Sequence, residues 1–141
     1  MTTPINPSTP KLWGKKRNIL IVDDDDDLVR VLKNAFESKG ATVHTESTGK
    51  GALDYLMNER NIDTISLLVL DRILPDMDGL EILKKLEERF PNQIPVLILT
   101  VLSAEKDVVS GLSQGAVDYI AKPFSLNILL RKVDALLDLY E

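Results

Sequence analysis

The sequence contains no cysteine and a single histidine, His44. Disulfides, thiolate metal sites and cysteine nucleophiles are therefore excluded, as are multi-histidine metal sites, and a reducing compartment is permitted. Long apolar runs are also missing. None approaches the roughly 20 residues of a membrane helix, and the N-terminal stretch lacks the apolar segment of a signal peptide. A cytoplasmic protein is the expectation, with no membrane association. Positive charge is in deficit, with 17 basic against 22 acidic side chains and a formal charge of −5. That balance argues against broad attraction to nucleic acid or anionic lipid, and no direct nucleic-acid binding is expected.

What is present fits one domain. A chain of 141 residues that is 44% hydrophobic can bury one sizeable core. Residues 1–17 carry Pro4, Pro7 and Pro10 among polar residues, then Lys15, Lys16 and Arg17. They are predicted to be a mobile tail ahead of a domain at 18–141.

Three short apolar runs, Ile19 to Val22, Leu67 to Leu70 and Val96 to Leu99, lack the alternation of a half-exposed strand and read as strands buried on both faces. Tyr119 to Ala121 is a weaker candidate, and Thr42 to Thr45 alternates around Val43 as an edge strand would. Between them, Leu28, Val31, Leu32, Ala35 and Phe36 recur at helical spacing, with Gly40 as a stop. Further helices are expected around Ala52, Leu53 and Leu56; Leu83, Leu86 and Phe90; Val108, Val109 and Leu112; and from Leu126 to Tyr140. Five alternations of strand and helix predict a doubly wound α/β domain with a parallel sheet. Sites in such sheets form beyond the carboxyl ends of the strands, where the strand order reverses.

The residues at those ends are informative. Asp23 and Asp24 follow the first run, Asp71 the third strand, Thr100 the fourth and Lys122 the fifth. If the strand order is 2-1-3-4-5, the three carboxylates converge at the reversal point, and Thr100 and Lys122 approach from the other side. Like charges about 4 Å apart repel by about 4 kcal/mol at an effective dielectric near 20, so the carboxylates need a counter-charge or must take up protons. A hard divalent cation, Mg2+ or Mn2+, suits a small all-oxygen donor set. A nucleophilic carboxylate beside such a cation, an ammonium and a hydroxyl suits phosphoryl transfer through an acyl phosphate.

The segments Ile-Leu-Ile-Val-Asp23-Asp24, Leu-Asp71-Arg-Ile-Leu-Pro75-Asp-Met-Asp78-Gly79, Leu-Thr100 and Lys122-Pro123-Phe124 resemble the receiver domains of response regulators, over about residues 18 to 140. The resemblance implies a flavodoxin-like (βα)5 fold, sheet order 2-1-3-4-5, and a Mg-dependent phosphoacceptor role for Asp71. The donor would be a histidine kinase or a histidine phosphotransfer protein. It further implies that Asp24, Asp71 and the Ile73 backbone carbonyl bind the metal, with Asp23 acting largely through water. Lys122 and Thr100 would grip the phosphoryl group. Thr100 and Tyr119 would move together, remodelling the surface of the fourth helix, fifth strand and fifth helix, where an effector domain or a second copy would read the change. Such a domain is a signalling phosphoacceptor, assisting only its own phosphorylation and dephosphorylation. The family also commonly has a cis peptide at the position of Lys122-Pro123.

Each signal has a plainer reading. Asp25, Asp26 and Asp27 are expected to cap and charge a helix start. An EF-hand through Asp23, Asp25 and Asp27 fails, because Leu28 and Asn34 replace the required glycine and glutamate. Asp76-Met77-Asp78-Gly79 reads as turn chemistry, and His44 as structural. Val101, bulkier than the small residue usual after the threonine, is expected to narrow access. Apolar Ile73 and Leu102 offer little to orient water, which predicts a long-lived phosphorylated state. Arg72 is expected to face a partner. Two other functions compete. A haloacid-dehalogenase-like Mg-dependent phosphohydrolase would carry Asp-x-Asp-x-Thr or Val, but position 27 is Asp and no cap segment is evident. A phosphorylation-independent, receiver-like interaction module would not need the full set of Asp23, Asp24, Asp71, Thr100 and Lys122.

Overall fold

A computed structural model describes residues 12, 13 and 17–140. Its elements run β1 (Asn18–Val22), α1 (Asp26–Ser38), β2 (Thr42–Glu46), α2 (Gly49–Leu56), α3 (Glu59–Thr64), β3 (Leu67–Leu70), α4 (Gly79–Arg89), β4 (Val96–Thr100), α5 (Glu105–Ser113), β5 (Asp118–Ala121) and α6 (Leu126–Leu139). The five strands are parallel in the order β2-β1-β3-β4-β5. This is the flavodoxin-like order, with the reversal between β1 and β3.

Alternation of side chains across each strand builds two cores. Leu20, Val22, Leu68, Leu70, Val96 and Ile98 face α2, α3 and α4 on one side. Ile19, Ile21, Leu67, Val69, Leu97 and Leu99 face α1 and α6 on the other. Both faces of β1, β3 and β4 are thus covered, which is why their sequences are uniformly apolar. β2 is an edge strand, and its residues are exposed or half-buried.

Two features depart from the sequence reading. The short helix α3 was not anticipated. It begins at Asn58, whose side chain accepts from the Arg60 and Asn61 amides, and buries only Ile62, so it offers no apolar period to detect. The expected third, fourth and fifth helices are accordingly α4, α5 and α6. The second departure is Trp13, which lies in the stretch read as tail but is 5% exposed. Its ring packs 5.4 Å from that of Phe36, its backbone amide donates to the Lys39 carbonyl at 2.6 Å, and its indole N–H donates to Asp134 of α6. A buried indole needs such a polar partner. Residues 1–11 and 14–16 of the expected tail lie outside the described residues.

Candidate phosphoacceptor site

Strand register assembles the site. Val22 pairs with Leu70, so Asp23 and Asp71 leave adjacent strands at the same level, and the Asp71 amide donates to the Val22 carbonyl at 2.9 Å. Thr100 pairs with Ala121, which places Lys122 next, its amide donating to the Thr100 carbonyl at 2.8 Å. The Lys122-Pro123 peptide is cis, as the resemblance implied.

The side chains then meet. Lys122 Nζ donates to Asp23 Oδ2 at 2.7 Å and to Asp71 Oδ2 at 3.0 Å. The other oxygen of Asp71 accepts from the Ile73 amide at 3.0 Å, and that of Asp23 from the Asp25 amide at 2.9 Å. Asp24 joins them from the solvent side: one oxygen from each of Asp23, Asp24 and Asp71 lies within 4.8 Å of the others. Asp23 and Asp71 are buried, whereas Asp24 is exposed.

Three carboxylates and one ammonium leave the cluster short of positive charge. Burial raises the Asp23 pKa, a shift opposed by the Lys122 hydrogen bond and the Asp25 amide and reinforced by Asp71. Burial disfavours the charge of Lys122 as well, but its hydrogen bonds to Asp23 and Asp71 outweigh that and raise its pKa. The ammonium therefore supplies part of the required counter-charge. An all-oxygen donor set that still carries excess negative charge fits a hard divalent cation.

Thr100 is fully buried at the end of β4, and its hydroxyl accepts from the Leu102 amide at 3.5 Å rather than bonding Asp71. Tyr119 is half-buried, with its hydroxyl donating to the Leu102 carbonyl at 2.6 Å. Ile73 and Val101 stand half-exposed around the site, at 47% and 56%.

The plainer readings fare well for the remaining acids. Asp25 caps α1 by accepting from the Leu28 amide, with Asp26 and Asp27 in the first turn. Asp78 caps α4 through the Leu80 amide. Asp76 does something that local sequence does not signal: it accepts from the Gly49 and Lys50 amides at 2.7 and 2.9 Å, capping α2 from a distant loop. His44 stacks on Tyr55, 4.0 Å between ring centres, on the edge strand. Arg72 is corrected. It does not face outward toward a partner but is 8% exposed, with its guanidinium turned onto α5.

Residues 19–134 match the response regulator receiver domain family. The chain belongs to that family. As a receiver domain it is 39% identical over 119 residues to the transcriptional regulatory protein SrrA of Staphylococcus aureus, an alignment covering 84% of this chain and 47% of SrrA. The chain thus spans about half the length of the curated relatives it matches. Among solved structures, the receiver domain of the Francisella response regulator 1452 superposes with a TM-score of 0.79 at 33% identity, covering 89% of this chain and 99% of that one. CheY of Borrelia burgdorferi, in its complex with CheX, BeF3 and Mg2+, superposes with a TM-score of 0.78 at 30% identity, covering 85% and 88%. The receiver domain described here has no helix, among the described residues, long and apolar enough to cross a membrane.

Proposed function

We propose that this receiver domain accepts a phosphoryl group on Asp71 from a phosphohistidine of a histidine kinase or a histidine phosphotransfer protein, in the cytoplasm. The observation that carries the proposal is the meeting of Asp71 with Asp23, Asp24 and Lys122 at the reversal point of the sheet. The residues that would hold Mg2+ or Mn2+ are Asp24, Asp71 and the backbone carbonyl of Ile73, with Asp23 in support. Such an ion supplies charge neutralisation at the transferring oxygens.

The chain's own groups have separate tasks. Asp71 is the nucleophile: a carboxylate oxygen forms the new O–P bond as the P–N bond to histidine breaks, and the imidazole leaves with the electron pair and takes up a proton. The Ile73 amide on Oδ1 fixes the orientation of the carboxylate. Lys122, released from its bond to Asp71, is placed to pair with the phosphoryl oxygens. Thr100, one strand away, supplies a hydroxyl to the same group, and Tyr119 follows its movement. The face of α5, β5 and α6 is then the surface read by an effector domain or a second copy.

The complex of the Borrelia relative with BeF3 and Mg2+ suggests the test. Beryllofluoride titrated calorimetrically in the presence of magnesium should bind wild type at one site and should not bind Asp71→Asn or chelator-treated protein. Equal binding to wild type and Asp71→Asn refutes the assignment.

A further inference from the structure

The strand end that carries Asp71 runs directly into Arg72, whose side chain is 9% exposed. An arginine does not shed its charge at ordinary pH, so burying it is unfavourable unless acceptors surround the guanidinium. Here Nη1 donates to the Asp107 carbonyl at 3.1 Å and to Ser110 Oγ at 3.4 Å, and lies 3.7 Å from Asp107 Oδ1. Nη2 lies 3.5 Å from Asp78 Oδ2. Nε is buried with no partner. An apolar side chain would fill this place without that unmet donor, so what the arginine adds is connection.

The connection has two arms. On one side, α4 rests on the backbone of the same two residues: the Gly79 amide donates to the Arg72 carbonyl at 2.7 Å, and a Cβ on Gly79 would lie 2.3 Å from the Asp71 carbonyl oxygen. On the other side, the guanidinium holds the first turns of α5 through Asp107 and Ser110. Tyr119 belongs to the same assembly, because its ring lies against Gly111 of α5, where a Cβ would come within 2.8 Å of Cε2. Burial disfavours the charge of Arg72, but the Tyr119 hydroxyl and the Asp78 carboxylate near it outweigh that and raise its pKa above the ordinary value.

We propose that Arg72 is a positioning residue that links the state of Asp71 to α5 and Tyr119. This rests on the reading of Asp71 as phosphoacceptor. A change at the Asp71 carboxylate shifts the peptide that leads into Arg72. The planar guanidinium, held from several directions, passes that shift to Asp107 and Ser110 and alters the seat of the Tyr119 ring. A lysine would offer one flexible nitrogen in place of the rigid planar fork whose two ends meet Asp78 and α5.

The test is a double-mutant cycle on the full chain, reading magnesium-dependent beryllofluoride affinity in wild type, Tyr119→Phe, Arg72→Met and the double variant. Tyr119→Phe is expected to change affinity about fivefold in wild type, the scale of a modest coupling between sites, and to have no measurable effect in the Arg72→Met background. Fluorine NMR of 3-fluorotyrosine-labelled protein should show the Tyr119 resonance moving on beryllofluoride addition in wild type and staying in place in Arg72→Met. Asp107→Ala combined with Ser110→Ala removes the two side-chain contacts on α5, leaving the bond to the Asp107 carbonyl, and should weaken both responses, which decides the matter if Arg72→Met does not fold. An equal effect of Tyr119→Phe in both backgrounds, or an unchanged Tyr119 response, overturns the role of Arg72 alone. Wild type that does not bind beryllofluoride overturns the phosphoacceptor reading and this role with it.

Discussion

Lys122 Nζ lies 3.0 Å from Asp71 Oδ2, a contact between residues 51 positions apart in the chain and brought together by strand register. The side chains are 16% and 7% exposed, and the same ammonium serves Asp23. Removing it leaves buried carboxylates facing one another. Lys122→Met is expected to lower stability at neutral pH by about 3 kcal/mol, near the lower end of the cost of breaking a buried pair. Magnesium should recover part of the loss by binding the folded state. Urea denaturation of both proteins with and without magnesium checks this; a variant as stable as wild type in chelator contradicts it.

Trp13 makes a second, independent prediction. Its indole is buried against Phe36 and hydrogen bonded to Asp134, so the segment ahead of β1 ties α1 to α6. Trp13→Ala should cost about 3 kcal/mol, as for other large-to-small changes in cores. Faster hydrogen exchange should accompany it in the C-terminal half of α6. Exchange there that matches wild type would show that the docking contributes nothing to α6.

The pH dependence of Asp76 can be worked out in sign. Backbone hydrogen bonds from Gly49 and Lys50 lower its pKa below the ordinary carboxylate value. A depressed folded-state pKa gives stability that is present above the unfolded pKa and is lost as pH falls through the folded value. Asp76→Asn should therefore be less stable than wild type at pH 7, with the gap closing below about pH 4. Thermal unfolding across that range measures it, and a gap that is constant with pH rules out the charge as its source.

Ile73 and Leu102 bear on the lifetime of the phosphorylated state. Ile73 is 47% exposed beside Asp71, and Leu102 bonds Thr100 and Tyr119 through its backbone amide and carbonyl. With no polar side chain at either position, nothing there orients an attacking water. Ile73→Asn is expected to shorten the phosphoryl half-life about tenfold, a small share of what a positioned polar group can contribute. Decay of purified phosphoprotein gives the comparison; equal half-lives contradict it.

Much of the fold and site was legible because the informative residues sit next to unambiguous signals. The apolar runs ending at Val22, Leu70 and Leu99 define central strands, so the sequence alone places Asp23, Asp71 and Thr100 at one rim. The elements that escaped have physical reasons. α3 buries one side chain, Ile62, and is started by a cap rather than by a period. Trp13 stands among prolines and basic residues, and only the tertiary pocket formed with Phe36 and Asp134 explains its burial. Asp76 caps a helix 27 residues away, a relationship that spacing cannot reveal. The direction of Arg72 depended on Asp107 and Ser110, whose helix is adjacent only once the sheet has formed.

The central assignment is best tested by intact mass of wild type and Asp71→Asn after incubation with magnesium and acetyl phosphate. One added phosphoryl group on wild type, absent from Asp71→Asn and from wild type in chelator, is the predicted result. An adduct of equal yield on Asp71→Asn would contradict it and place the acceptor elsewhere.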